Sequence, residues 1–103
     1  MAIRKSMEDR VCVDGARDIW FTKSVEALNA AGFKKIVQNE TLFQITADYK
    51  KATVWGGILI SLLPADKGQT VINMKSTANV DNIYSLFKSP NKTILDRFKS
   101  ELK

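Results

Sequence analysis

The clearest alternation in the chain runs over Thr41–Lys50 (TLFQITADYK). Phe43, Ile45, Ala47 and Tyr49 fall on one side and Gln44, Thr46 and Asp48 on the other, the period of two expected of a half-buried strand. The segment Thr53–Pro64 (TVWGGILISLLP) is different, because between Val54 and Leu63 only Ser61 has a polar side chain. Such a run reads as a central strand apolar on both faces. Phe33–Gln38 (FKKIVQ) precedes this pair, with Asn39-Glu40 as its turn, and Gln69–Thr77 (QTVINMKST) follows it, with Ile72 and Met74 opposed to Asn73, Lys75 and Thr77. The connecting segments, Lys50-Lys51 and Pro64–Gly68, are short and rich in turn residues. Four strands joined this way predict an antiparallel meander.

Helical spacing flanks the meander. From Ala16 to Ala31, Phe21, Val25 and Leu28 recur at i, i+4 and i+7, with Ala31 and Trp20–Ala27 beside the stripe. Asp14 is positioned as an N-cap, Asp18 suits the positive end of the helix dipole, and Gly32 terminates the helix as a C′ glycine. Asp81–Phe87 predicts a short helix, and Ser89-Pro90 restarts one that carries Ile94, Leu95, Phe98 and Leu102 on one stripe as far as Leu102. Before the first helix, Arg10–Asp14 (RVCVD) sets Val11 and Val13 against Cys12, a short candidate fifth strand at the sheet edge, and residues 1–10 read as a flexible basic arm. The prediction is an α+β domain over residues 11–103, an antiparallel sheet with an N-terminal and a C-terminal helix packed on one face.

That element order resembles small bacterial modules of helix-grip type, relatives in shape of the Bet v1-like and outer-membrane-assembly lipoprotein folds. The likeness is carried by the helix ending in Gly32-Phe33, by GFKKIVQNETLFQITADYK and WGGILISLLPADKGQTVINMKST, and by Trp55-Gly56, Gly68, Thr70 and Ser76 within them. It extends over Ala16–Leu102 and implies a helix-grip-like fold. The strands are too few to enclose the deep cavity of the large ligand-binding members.

Composition narrows the chemistry. There is no histidine among 103 residues, which removes His-based triads, the common zinc sites and the side chain best suited to proton transfer near neutrality. Cys12 is the single cysteine, with Asp9 and Asp14 near it rather than a base, so it reads as an idle thiol in a reducing compartment. The carboxylates have no acid/base or metal spacing, and P-loop, dinucleotide and EF-hand patterns are missing. The expectation is a protein that is not an enzyme, with no cofactor and no metal. No apolar run approaches the about 18–20 residues needed to span a bilayer, and the N-terminus has no apolar signal core, so a soluble, cytoplasmic domain is expected.

Two binding readings remain. If Ile58, Ile60 and Leu62 face the helices, alternation sends Trp55, Leu59 and Leu63 to the opposite face, where Leu42 and Val71 would extend an apolar patch. A bulge at Gly56-Gly57 would instead return Trp55 to the core. The patch Leu42, Leu59 and Leu63, with Trp55 at its margin and Lys50 and Lys51 steering an acidic partner, predicts a protein-binding surface for a partner protein or a second copy of the chain. The alternative is nucleic acid. Lys34, Lys35, Lys50 and Lys51 lie at strand ends, and Lys88, Lys92, Arg97, Lys99 and Lys103 in the C-terminal segment, within a formal net charge of +5. Phe43 and Tyr49 share the core side with Ile45, which argues against a stacking platform.

Overall fold

The computed structural model describes residues 4–51, 54–79 and 90–102, with side chains described over 7–50, 56–77 and 94–102. The expected helix at Asp81–Phe87, the Ser89 cap and the side chains of Lys51 and Trp55 lie outside the described residues. Strand β1 (Arg4–Asp14) is followed by helix α1 (Arg17–Ala30), strands β2 (Lys34–Asn39), β3 (Gln44–Lys51), β4 (Val54–Pro64) and β5 (Gln69–Asn79), and helix α2 (Pro90–Glu101). The five strands form one antiparallel sheet in the order β1-β5-β4-β3-β2. The meander is as expected, and β1 returns to lie beside its last strand.

Beta-1 is the main correction. The segment expected as an arm up to Arg10, followed by a short strand, is from Arg4 onward an eleven-residue strand paired with β5 along its whole length. The residues that hide it are Met7 and Asp9, which continue inward the alternation begun by Val13 and Val11. Asp9 sits at an inner position because Lys99 of α2 meets it there, Nζ to Oδ2 at 2.6 Å. Both groups stay more than a third exposed, so the pair adds at most about 1 kcal/mol.

The inner faces of the strands and the buried faces of both helices form one core. Ile45, Ile60, Ile72, Met74, Leu28, Ile94 and Phe98 are fully enclosed, with Phe21, Phe33 and Tyr49 around them. Each large apolar side chain buried this way contributes about 1.5–3 kcal/mol relative to exposure. Phe21 packs edge-on against Phe43 at 5.9 Å between centroids, and Phe33 packs tilted by 51° against Tyr49 at 5.0 Å.

Helix α1 ends as its sequence suggests. Gly32 takes φ +88°, its N–H donates to Asn29 O, and the Phe33 N–H reaches back to Leu28 O. These two bonds make a Schellman closure, with Leu28 and Phe33 both buried. The start of α1 differs from expectation. Ala16 is at the N-cap with no side-chain bond, because Asp14 still belongs to β1 and its carboxylate accepts from Gln69 Nε2 at 2.8 Å. Beta-3 also begins later than its alternation suggests. Thr41–Phe43 form a turn in which Asn39 Oδ1 accepts the Leu42 N–H at 3.1 Å, and Phe43, at φ +51°, reaches the core from that turn.

One buried position has no apolar match. Ser24 is fully enclosed on α1, and its Oγ has no hydrogen-bond partner among the described residues. Ser24→Ala removes that desolvated hydroxyl and raises helix propensity, so it is expected to stabilise by about 1 kcal/mol. Calorimetry should then show Tm rising by roughly 4–8 °C; a fall would mean that the hydroxyl is bonded in solution.

Candidate binding face of the sheet

The face of the sheet turned away from the helices carries the candidate site. Along β4, Gly57, Leu59, Ser61 and Leu63 alternate with the core residues Ile58, Ile60 and Leu62. The pairing of β4 with β3 and with β5 runs through Gly56-Gly57 without a register shift, so no bulge occurs there. Trp55 pairs with Lys50 through its backbone, and its side chain lies outside the described residues.

Gly57, Leu59 and Ser61 each have two cross-strand neighbours, so the face can be read row by row. Gly57 lies between Asp48 and Thr77, Leu59 between Thr46 and Lys75, and Ser61 between Gln44 and Asn73, while Leu63 faces Val71. Because residue 57 has no side chain, the Gly57 row is hollow. Thr46, Asp48, Lys50, Leu59, Lys75 and Thr77 surround an open concavity of about 620 Å³ there. A Cβ at Gly57 would lie 3.1 Å from the carbonyl oxygen of Ala47 and 3.6 Å from Asp48 Oδ1.

Leu59 and Lys50 therefore meet at this concavity. Leu63, 51% exposed, lies at the other end of β4 beside Val71. The polar row Gln44, Ser61 and Asn73 separates the two. Leu42, 59% exposed, belongs to the turn before β3 and not to a strand. That turn lies at the Leu63 end of the sheet, since Phe43 O accepts the Leu62 N–H at 3.0 Å. The apolar surface thus divides into a Leu59 area and a Leu63–Val71–Leu42 area. Val37, 62% exposed and opposite Thr46, extends the first. Sequence reasoning misses it because an irregularity between Lys34 and Val37, with Lys35 at φ +52°, resets the alternation of β2.

Among the described residues, no three His, Cys, Asp or Glu side chains gather as a metal site, and no helix is long and apolar enough to cross a membrane. Cys12 is exposed on β1, its Sγ 3.6 Å from Gln69 Oε1. Phe43 is partly buried against the core, with the Arg17 guanidinium 4.0 Å from its ring centre, and Tyr49 is buried.

No family model matches the chain, and no curated protein matches it. Solved structures do resemble it. A norcoclaurine synthase point mutant from Thalictrum flavum, in complex with a transition-state analogue, superposes with a TM-score of 0.69 at 11% identity over 99% of this chain and 93% of that one. The adenylate sensor of AMP-activated protein kinase complexed with ATP gives 0.69 at 17% identity over 89% and 93%. The Zhui aromatase/cyclase from Streptomyces sp. R1128 gives 0.64 at 8% identity over 96% and 88%. At these identities the fold alone is shared, and the chain has the α+β architecture of the Bet v1-like helix-grip folds.

Proposed function

We propose that the protein is a non-enzymatic binding module that takes a protein partner through the outer face of its sheet, the partner presenting apolar side chains flanked by acidic groups. The observation that carries this reading is the exposure of Leu63 and Leu42 at one end of a sheet face that no described element covers, with Val37 exposed in the second apolar area. One-sided antiparallel sheets normally turn polar residues outward, and clustered apolar exposure marks a contact surface. An acidic partner is supported by Lys75 and Lys50, which outnumber Asp48 at the concavity, and by the formal net charge of +5. Such charges speed encounter more than they tighten the complex. The nucleic-acid alternative rests on charge alone, because Phe43 and Tyr49 are turned to the core.

The test uses Leu63→Asp and Leu42→Asp, each at an exposed position where the fold should tolerate the change. Wild type immobilised against a lysate of its host is expected to retain a partner that both variants lose, with unchanged circular dichroism. Truncating a central apolar contact typically weakens binding by about 1–2 kcal/mol, and burying a charge there costs more. Equal retention by wild type and both variants would overturn the reading. Retention that falls steeply with salt and is removed by nuclease would favour nucleic acid.

A further inference from the structure

The two edges of the sheet are built differently. Beta-2 is six residues long, irregular between Lys34 and Val37, and carries Lys35 at φ +52°. Shortness, a bulge and lysines are the devices that keep an edge from pairing. Beta-1 has eleven residues in unbroken register with β5 and no proline. Its free edge is long and regular.

The hydrogen bonds show which backbone groups face outward. The Arg10 N–H is taken by Asp9 Oδ1 at 2.8 Å, and the Asp14 carbonyl accepts from Trp20 Nε1 at 2.6 Å, whereas the Gly15 N–H crosses to Gly68 O at 3.1 Å. Backbone groups alternate in direction along an antiparallel ladder, so the even-numbered residues of β1 turn theirs away from β5. Trp20 closes this edge at Asp14. Between Ser6 and Cys12 no described element pairs with it, and among the described residues nothing bonds the outward backbone groups of Glu8 or Cys12.

We propose that this edge pairs antiparallel with the same edge of a second copy of the chain, about a twofold axis at Asp9, joining two five-stranded sheets into one. Charge selects both the occupant and the register. With Asp9 opposite Asp9 of the second copy, exposed Glu8 faces Arg10 of that copy and exposed Arg10 faces its Glu8, both on the outer face. A shift of two residues one way sets Glu8 against Glu8, and the other way Arg10 against Arg10. Odd shifts would set inner against outer positions. On the inner side Met7, 39% exposed, gains cover from Val11 of the second copy. The two Asp9 carboxylates at the axis each keep their own Lys99, Nζ to Oδ2 at 2.6 Å, so two ion pairs meet there rather than two bare charges. The Arg10 N–H exchanges its Asp9 acceptor for a backbone carbonyl.

Sedimentation equilibrium on the whole chain, from micromolar to millimolar concentration, tests this. Wild type is expected to dimerise. Arg10→Glu and Glu8→Arg each place two like-charge pairs at the junction and should raise Kd roughly 10- to 30-fold. The double variant E8R/R10E restores opposite charges and should return to within about threefold of wild type. Arg10→Glu is the cleaner single change, because Arg10 faces Asn73 in its own sheet while Glu8 faces Lys75. Arg10→Pro deletes an edge N–H without touching the β1–β5 ladder and should abolish dimerisation with circular dichroism unchanged. A monomer at the highest concentration, a dimer indifferent to both single reversals, or a double variant that stays weak would each overturn the proposal. Leu63→Asp separates it from the outer-face reading. The edge dimer survives that substitution, and a dimer lost by Leu63→Asp but unmoved by Arg10→Glu overturns the edge proposal and places self-association on the outer face.

Discussion

Phe98→Ala is expected to remove about 3–5 kcal/mol of stability, a large part of the roughly 5–15 kcal/mol typical of a domain. Phe98 is fully enclosed on α2 between Ile94, Leu95 and Leu102, and α2 packs across β4, β5 and β1. Its polar ties to the rest of the described fold are few. Lys99 meets Asp9, and the Arg97 Nη2 lies 3.5 Å from the Ala31 carbonyl. The helix is therefore held by its apolar stripe, and Phe98 is the largest member. Urea unfolding is the measurement. With m near about 2 kcal/mol per molar, typical of small domains, the midpoint should fall by about 2 M with m unchanged. If m falls as well, α2 leaves the sheet as a separate unit before the remainder unfolds. A loss below about 1 kcal/mol would mean that α2 is not docked as described.

That stripe is legible in the sequence, as are α1, its glycine stop and the order of the meander. In each case the apolar spacing and the terminating residue point to the same element, and no distant contact is needed to interpret them. The differences fall where a distant contact decides. Beta-1 reads as a short strand because Asp9 occupies an inner position, and its partner Lys99 lies 90 residues away. The turn at Thr41–Phe43 reads as part of β3 because Phe43 keeps the period of two while its backbone, at φ +51°, has left the strand region. Ser24, Thr70 and Ser76 are all fully buried small polar residues. Spacing puts them on the core side, Thr70 and Ser76 in step with Ile72 and Met74 and Ser24 beside Phe21 and Leu28, but their polar side chains carry no apolar signal of burial.

The candidate face divides in the same way. Alternation along β4 correctly turns Leu59 and Leu63 away from Ile58, Ile60 and Leu62. It does not show that Gln44, Ser61 and Asn73 form a polar row between them, because a row depends on the register of three strands. The hollow at Gly57 depends on it too. A glycine pair within a strand pattern suggests a bulge or a close approach; the register excludes the bulge, and a Cβ at Gly57 would lie 3.1 Å from the Ala47 carbonyl oxygen, so the hollow goes with a close backbone approach.

Gly15→Ala should be more damaging than Gly32→Ala, at about 2–4 kcal/mol, from backbone strain plus a lost hydrogen bond. Gly15 adopts φ +121°, and a Cβ placed there would lie 2.8 Å from Trp20 Nε1. That indole nitrogen holds the Asp14 carbonyl at 2.6 Å. Gly15 itself donates to Gly68 O at 3.1 Å and accepts from Thr70 Oγ1 at 2.8 Å. One residue thus ties the end of β1, the entry to α1 and the start of β5, and an added methyl disturbs all three. Tm should fall by roughly 10–25 °C. Gly32→Ala is the control, because Gly32 also has positive φ but a Cβ there would meet nothing within 4 Å, which leaves a backbone cost of about 1 kcal/mol. Trp20 fluorescence, read in a Trp55→Phe background because the chain has two tryptophans, should shift to the red in Gly15→Ala and stay in place in Gly32→Ala. Equal Tm losses with no spectral change would show that the indole yields freely and that only the backbone conformation matters at this junction.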